Sequence, residues 1–180
     1  MGEELIALGW DDRELPVHSY VAFYYLDEDA LRRCLSFLRV GLDEAGTFCV
    51  LLSDAGQHDR VLEEIQLGYS GSVESARDQG RLATVGLMED FEQLAAMIRM
   101  AMDAVLAAGY QRVRVLGLVG WGMPWYPDNA WLKRCEAEVN KVVADYPMVV
   151  MCLYDVPGII DPFMDAGANP GPVIVTHDRV

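Results

Sequence analysis

The sequence has little lysine, no paired cysteines and no long apolar run, and each shortage argues against a class of protein. Its 180 residues contain two lysines, Lys133 and Lys141, and carry a formal net charge of −14. That charge argues against direct nucleic-acid binding, because phosphate contacts need a basic surface. No apolar run reaches the length of a membrane span, and the acidic start MGEELIALGWDDRE is unlike a signal peptide. We therefore expect a cytoplasmic protein that binds neither nucleic acid nor membrane.

Metal and nucleophile motifs are missing as well. The four cysteines lie far apart without a C-x-x-C pair, which is typical of reduced structural thiols and gives no support to a zinc site. The histidines His18, His58 and His177 have no metal-ligand spacing, and we interpret His58 as an exposed residue early in a helix. Cys152 and His18 could form a thiolate pair, but Cys152 lies in an apolar run, where thiols are usually inert. We expect no metal, no cofactor and no catalytic residue.

Strand-like and helix-like segments alternate along the chain without a repeat or linker. Residues 1–16 are interpreted as an N-terminal lead-in and residues 17–180 as a single domain. The alternation predicts an α/β fold, a doubly wound three-layer sandwich with a mainly parallel central sheet. Short apolar runs predict strands at 21–25, 47–54, 81–87, 112–121, 149–155 and 172–177. Helical periodicity predicts helices at 27–46, 57–68, 90–108 and 129–146, whereas 68–80 is loop-like or weakly helical.

Aromatic and acidic side chains collect where the predicted strands end. In a parallel sheet these carboxyl ends line the ligand crevice, and rings with a few polar groups are typical of a small-molecule pocket. Asp54 precedes a helix and could instead cap it, and one of Tyr24 and Tyr25 could be core, because neighbours on a strand face opposite sides. The candidates at this edge are Tyr24, Tyr25, Asp54, Trp121, Tyr154 and Asp155.

The sequence lacks the loop with which nucleotide hydrolases hold phosphate. A G-x-x-x-x-G-K-[ST] motif would stand between the first strand and its helix. LDEDA occupies that place, with three acids, no glycine and no lysine. These acids suit the positive end of a helix dipole but would repel a triphosphate. The scaffold of an ATPase is therefore predicted without its ATP-binding machinery.

Several motifs in order resemble one sensory family. They are HSYVAFYYLDEDALRRCLSFLRVGLDEAG, the basic strand RVRVLG followed by Trp121, CEAEVN and VVMCLYD. Together they resemble the MEDS domain, the sensory module of methanogens, methylotrophs and a dichloromethane-responsive repressor, over about residues 17–176. The resemblance implies a fold related to the RecA and KaiC ATPases without a working phosphate loop. It also implies a small organic ligand, because the family is proposed to sense such compounds.

The family motifs carry over to individual positions of this chain. The resemblance assigns the family's early histidine to His18 and its strand aromatic to Tyr24 or Tyr25. Two departures stand at Leu118, where the family commonly has glutamate, and at Asn169, where it commonly has histidine. Their loss suggests a changed ligand or a site that binds none. The remaining family positions fall on Glu136, Asn140, Cys152, Tyr154 and Asp155.

Two functions follow from these features, with an undetected enzyme, one that uses Cys152, as a third. The leading hypothesis is a non-catalytic sensory domain that binds a small organic molecule at the carboxyl edge of the sheet. The alternative is a ligand-free protein-interaction module on a degenerate ATPase scaffold. Because the family's output modules are kinases and DNA-binding domains, and residues 1–180 contain neither, a regulatory partner in trans is expected. A homo-oligomer is left open.

Overall fold

The computed structural model describes residues 4–25, 27–88, 90–119, 129–155 and 174–176. Its helices are α1 Glu28–Cys34, α2 Ser36–Asp43, α3 His58–Leu67, α4 Val73–Asp78, α5 Phe91–Ala107 and α6 Asn129–Asp145, with a 3-10 turn at Ala55–Gln57 before α3. Its strands are β1 Leu5–Ala7, β2 Glu14–Pro16, β3 Ser19–Tyr25, β4 Thr47–Ser53, β5 Leu82–Gly86, β6 Arg112–Val119, β7 Met148–Asp155 and β8 Ile174–Thr176.

Six of the described strands form one sheet in the order β5-β4-β6-β7-β3-β8. The first five run parallel, and β8 is antiparallel to β3. The central strands are apolar on both sides because helices cover both faces of the sheet. The predicted doubly wound α/β sandwich with a mainly parallel sheet is confirmed.

Each face of the sheet has its own hydrophobic core. On one face, α1 to α4 pack against the strands through residues such as Leu35, Leu38 and Ile65. On the other, α5 and α6 pack through residues such as Leu94 and Val142. On β3 the side chains alternate between these cores, as the pleat of a strand requires.

Two segments differ from their predicted form, and a third, predicted as loop-like or weakly helical, contains a short helix. The lead-in contains a hairpin of β1 and β2, whose Ile6 and Leu15 join the core under α1 to α4. The helix predicted at 27–46 is two helices that meet at Leu35, and the uncertain segment at 68–80 contains α4. The apolar positions of 27–46 keep their three- and four-residue steps across Leu35, so periodicity alone does not reveal the break.

Candidate functional site

The connections that leave the carboxyl ends of the strands change face at β6. From β3 and β4 the chain leaves on the face of α1 to α4, whereas from β6, which lies between β4 and β7, it leaves towards α6 on the other face. In an open α/β sheet, a ligand crevice forms outside the carboxyl ends of strands at such a switch point. The neighbouring ends of β6, β7 and β3 are therefore where this fold leaves room for a site.

Three tyrosines lie together on the α5 and α6 side of that edge. Tyr24 and Tyr154 are paired across β3 and β7, and their rings stack with centroids 5.2 Å apart and planes inclined by 25°. The Tyr154 hydroxyl lies 3.1 Å from the Tyr20 hydroxyl. Tyr154 and Tyr20 are buried, whereas Tyr24 is half-buried. We call these three tyrosines the aromatic platform. Tyr20 and Tyr154 form its buried part, and the Tyr24 ring is its partly exposed part.

Small residues on three neighbouring strands make room for this platform. Ala22 on β3 is in register with Cys152 on β7, which is in register with Gly117 on β6. A Cβ atom on Gly117 would stand 3.3 Å from the Cys152 sulphur, so the strands meet closely there. Cys152 is thus a buried packing residue in the floor beside Tyr154 and Tyr20. The sequence left two alternatives for Cys152, an inert structural thiol and a family site residue, and its burial agrees with the first.

The opposite face of the same edge holds Tyr25. It is buried in the core under α1 to α4, and it is in register with Asp155, the last residue of β7. The backbone of Asp155 therefore ends at the switch point, while its side chain lies outside the described part of the structure. Trp121, predicted at the end of β6, also lies outside the described residues.

The end of β4 is occupied by local hydrogen bonds. Asp54 caps the 3-10 turn, because its Oδ1 accepts a hydrogen bond from the Gly56 N–H at 3.1 Å, which is the structural alternative weighed from the sequence. His58 is half-buried rather than exposed, and its Nε2 lies 3.3 Å from the carbonyl oxygens of both Ser53 and Val85. An Nε2–H donor there ties the carboxyl ends of β4 and β5 together. His58 was misread because helix periodicity cannot show a contact with a neighbouring strand.

His18 lies at the opposite end of the sheet. It precedes β3, its backbone N–H donates to the Met148 carbonyl at 2.8 Å, and its Nδ1 lies 3.0 Å from the Val143 carbonyl near the end of α6. Six residues of strand separate it from Tyr24, which corresponds to about 20 Å. The structure therefore does not bring His18 together with the aromatic platform.

The two predicted site residues on α6, Glu136 and Asn140, also lie away from the carboxyl edge of the sheet. α6 begins near the carboxyl edge, where β6 ends, and finishes at Asp145 beside the start of β7. Asn140 is eleven residues into this helix, about 16 Å along its axis. Glu136 lies one turn earlier on the backbone, with its side chain outside the described part. Asn140 is thus nearer to His18 than to Tyr154 in position along the sheet.

Two aromatic residues of the platform region were not predicted. Tyr20 shares a strand face with Tyr24, since they are separated by an even number of residues, and this alternation could have identified it. Trp131 is buried in the first turn of α6, in the same core cluster as Tyr154. Its position after the end of β6 was the available signal.

The helix that follows β3 satisfies its own amino terminus. The Asp27 Oδ1 accepts a hydrogen bond from the Ala30 N–H at 2.8 Å, and Glu28 and Asp29 stand in the first turn. Arg32 bridges Glu28 and Asp29 on the same helix and Glu64 on α3. Asp27 therefore occupies one backbone donor, and the acidic first turn occupies the positive helix end, to which a phosphate would bind.

Leu118, which stands at the family's glutamate position, lies under a cleft between α1 and α3. The leucine is buried, and the cleft holds about 20 Å³, room for about one water molecule. Arg32, Arg60 and Glu64 line its mouth. The floor of this cleft is therefore apolar in this chain, whereas the glutamate of the family would make it polar.

The comparisons with known proteins agree with this arrangement. A sequence model of the MEDS family, described as the methanogen/methylotroph, DcmR sensory domain, matches residues 20–167. The chain belongs to the MEDS family. The matched range runs from Tyr20 on β3 past the end of β7, so it spans the switch point and the aromatic platform. The resemblance drawn from the sequence motifs is confirmed, and the MEDS family is a sensory-domain family.

Solved structures show the same fold at low sequence identity. A crystal structure of a KaiC-like protein from the hyperthermophilic archaeon Pyrococcus horikoshii OT3 is similar to this MEDS domain with a TM-score of 0.63 and 13% identity. The match covers 87% of this chain and 73% of that chain. The predicted RecA/KaiC-like fold is thereby confirmed. No curated protein matches the chain, and in the described residues no helix is long and apolar enough to cross a membrane.

Proposed function

We propose that this MEDS domain is a non-catalytic cytoplasmic sensor that binds a small organic molecule at the carboxyl ends of β3 and β7. The stacked pair of Tyr24 and Tyr154 at the switch point carries the proposal. A partly exposed ring can cover an apolar body, and neighbouring polar groups can orient it. In this proposal Asp155 and Trp121, which the sequence predicts at the same edge, are further ligand contacts.

A partner in trans receives the signal in this proposal. The described helices and strands are all used by the sensory fold. A ligand that orders the ends of β3 and β7 would change the protein surface near these ends, which the partner would contact. The absence of a phosphate loop and the buried thiols support a role without catalysis, and the free cysteines suit a reducing cytoplasm.

Native mass spectrometry of the protein purified from its source tests the ligand directly. We expect a bound mass of a few hundred daltons or less above that of the chain, released on denaturation. Tyr24→Ala should abolish this additional mass, because it removes the exposed half of the stack. Tyr146→Ala, a half-buried tyrosine near the opposite end of the sheet, should retain it. Retention of the ligand by Tyr24→Ala would contradict the placement of the site.

One observation favours the ligand-free alternative. The aromatic platform is already packed internally, since Tyr154 stacks on Tyr24 and its hydroxyl contacts that of Tyr20. The cleft above Leu118 has room for about one water molecule. A protein-interaction module would need no larger cavity beside these strand ends. In that case the same mass spectra would show the chain without a small molecule and with a stoichiometric protein partner.

A further inference from the structure

The outer edge of β5 has backbone groups available for pairing. Within the described residues β5 is the last strand on its side of the sheet and is hydrogen-bonded only to β4. The Arg81 carbonyl accepts from the Cys49 N–H at 2.9 Å, and the Leu87 N–H donates to the Ser53 carbonyl at 2.9 Å. Alternate residues of a parallel strand bond to opposite sides. The peptide groups of Leu82, Thr84 and Gly86 therefore face outward.

This edge lacks the usual protection against pairing. Natural edge strands are blunted by charged residues, proline or bulges, whereas β5 is Leu-Ala-Thr-Val-Gly and pairs with β4 in continuous register. Its residues from Ala83 to Gly86 are half-buried rather than covered. An exposed strand of this composition is a template for one more strand.

The flank of α5 beside this edge is apolar. Arg99 and Asp103 on α5 contact Asp145 and Tyr146, so this side of the helix faces α6. Ala101 is two residues from both Arg99 and Asp103, about 200° round the helix, and therefore lies on the side away from α6. Met97 shares that side, both are half-buried, and nearby Met100 is 71% exposed. A strand added to β5 would find an apolar surface above it.

The net charges at the two ends of β5 have opposite signs. Arg77, Asp78 and Arg81 precede the strand and together carry one positive charge, whereas the acidic residues Asp90 and Glu92 follow it. An antiparallel copy of β5 would bring the basic end of each strand towards the acidic end of the other. A parallel copy would bring like charges together, which is destabilising. The charge pattern thus fits one particular occupant, the same strand in the reverse direction.

We propose that two copies of this domain associate through antiparallel pairing of their β5 edges, which extends the sheet across a two-fold axis at Thr84. In this arrangement Leu82 faces Gly86 of the other copy, and the outward peptide groups form about six hydrogen bonds. The α5 flanks with Met97 and Ala101 meet beside the new pairing. At physiological salt the long-range repulsion between the two acidic chains is screened beyond about 8 Å, so the uncharged strands can approach.

Sedimentation velocity of the full chain over a range of concentrations tests this association. The wild-type protein is expected to form a dimer, and Thr84→Pro is expected to remain a monomer. Proline at Thr84 removes an N–H that points outward and has no role in the pairing with β4, so circular dichroism should show an intact fold. Thr84→Val keeps the N–H and should remain dimeric. A wild-type monomer at every concentration, or a dimeric Thr84→Pro, would overturn the proposal.

A charge on the α5 flank provides a second test that leaves the strand unchanged. Met97→Glu places like charges on both copies close to the two-fold axis and should weaken dimerisation at least about tenfold. Ala137→Glu adds the same charge to an exposed position on α6, away from β5, and should leave the dimer unchanged. Equal weakening by both substitutions, or by neither, would refute the β5 interface.

Discussion

At the scale of single residues, burial sets the chemistry of Cys34 and Cys49. Neither side chain is exposed, and burial raises the pKa of each thiol to about 12. A thiolate is therefore strongly disfavoured in the folded protein, whereas the unfolded chain ionises at its thiols from about pH 9. These cysteines are structural in the sense predicted from their spacing.

The raised pKa values predict a loss of stability at alkaline pH. Above about pH 9 the unfolded state binds fewer protons than the folded state, so the free energy of unfolding falls as pH rises towards about 12. Each thiol contributes at most about 1.4 kcal/mol per pH unit. Urea unfolding at several alkaline pH values measures the slope.

Cys34→Ala isolates the contribution of one thiol to this slope. It removes one titrating group, so its stability should fall less steeply with pH than that of the wild-type protein, even if it is less stable at neutral pH. Parallel pH profiles for the two proteins would show that Cys34 ionises equally well in both states, contrary to the expected effect of burial.

Single residues also show what local sequence cannot reveal. The capping alternative for Asp54 could be stated from the sequence because a cap depends only on the following turn. The burial of Arg114 could not, because one arginine in the strand RVRVLGLV gives no sign of where Glu44 will lie. Contacts between neighbouring residues can be predicted from the sequence, whereas contacts between distant elements cannot.

At the scale of elements, Arg114 ties the hairpin, α2 and β6 together. Its side chain is 0% exposed, and its Nη2 lies 2.5 Å from the Glu44 Oε1, just beyond α2. Its Nη1 donates to the Ala7 carbonyl at 2.6 Å and to the Phe37 carbonyl at 3.2 Å. Burial lowers the pKa of the guanidinium, and Glu44 opposes this shift. A charge this deep is tolerated because nearly all its donors are used.

Removal of this guanidinium should loosen all three elements. Arg114→Ala leaves Glu44 without its partner and the Ala7 and Phe37 carbonyls without their donor, and we expect a loss of about 3 kcal/mol in the free energy of unfolding. Urea unfolding measures it. Arg99→Ala breaks the more exposed ion pair with Asp145 and should cost less than about 1 kcal/mol. Similar costs for both variants would show that Arg114 is not an anchor.

The elements themselves were predictable to different extents. β4, β6 and β7 are long apolar runs buried on both faces, so their composition alone predicts them. β1 and β2 have three residues each, too few for any periodicity, and their pairing depends on the turn between them. Short elements held by tertiary contacts are the ones that the sequence did not reveal.

At the scale of the whole molecule, topology divides the predicted site. The carboxyl-edge rule correctly brought Tyr24 together with Tyr154, because it depends only on strand direction. The family motifs added His18 and Asn140, which lie far along the sheet from that edge. The order of residues along the chain does not determine how far apart they lie in the fold. A family motif can therefore include both residues at the carboxyl edge and residues at the opposite end of the sheet.

The same topology predicts that Mg-ATP and Mg-GTP do not bind. In this RecA/KaiC-like fold the phosphate loop would lie between β3 and α1, and there Asp27 already accepts the Ala30 N–H while Glu28 and Asp29 oppose an anion. Isothermal titration calorimetry should show no heat of binding for either nucleotide. Asp27→Asn keeps a helix cap but removes one charge. It should show no heat of binding either, because the segment LDEDA contains neither the lysine nor the glycines of a phosphate loop. Micromolar affinity of the wild-type protein would mean that the nucleotide uses another edge of the sheet, and the sensory proposal would then need a nucleotide as its ligand.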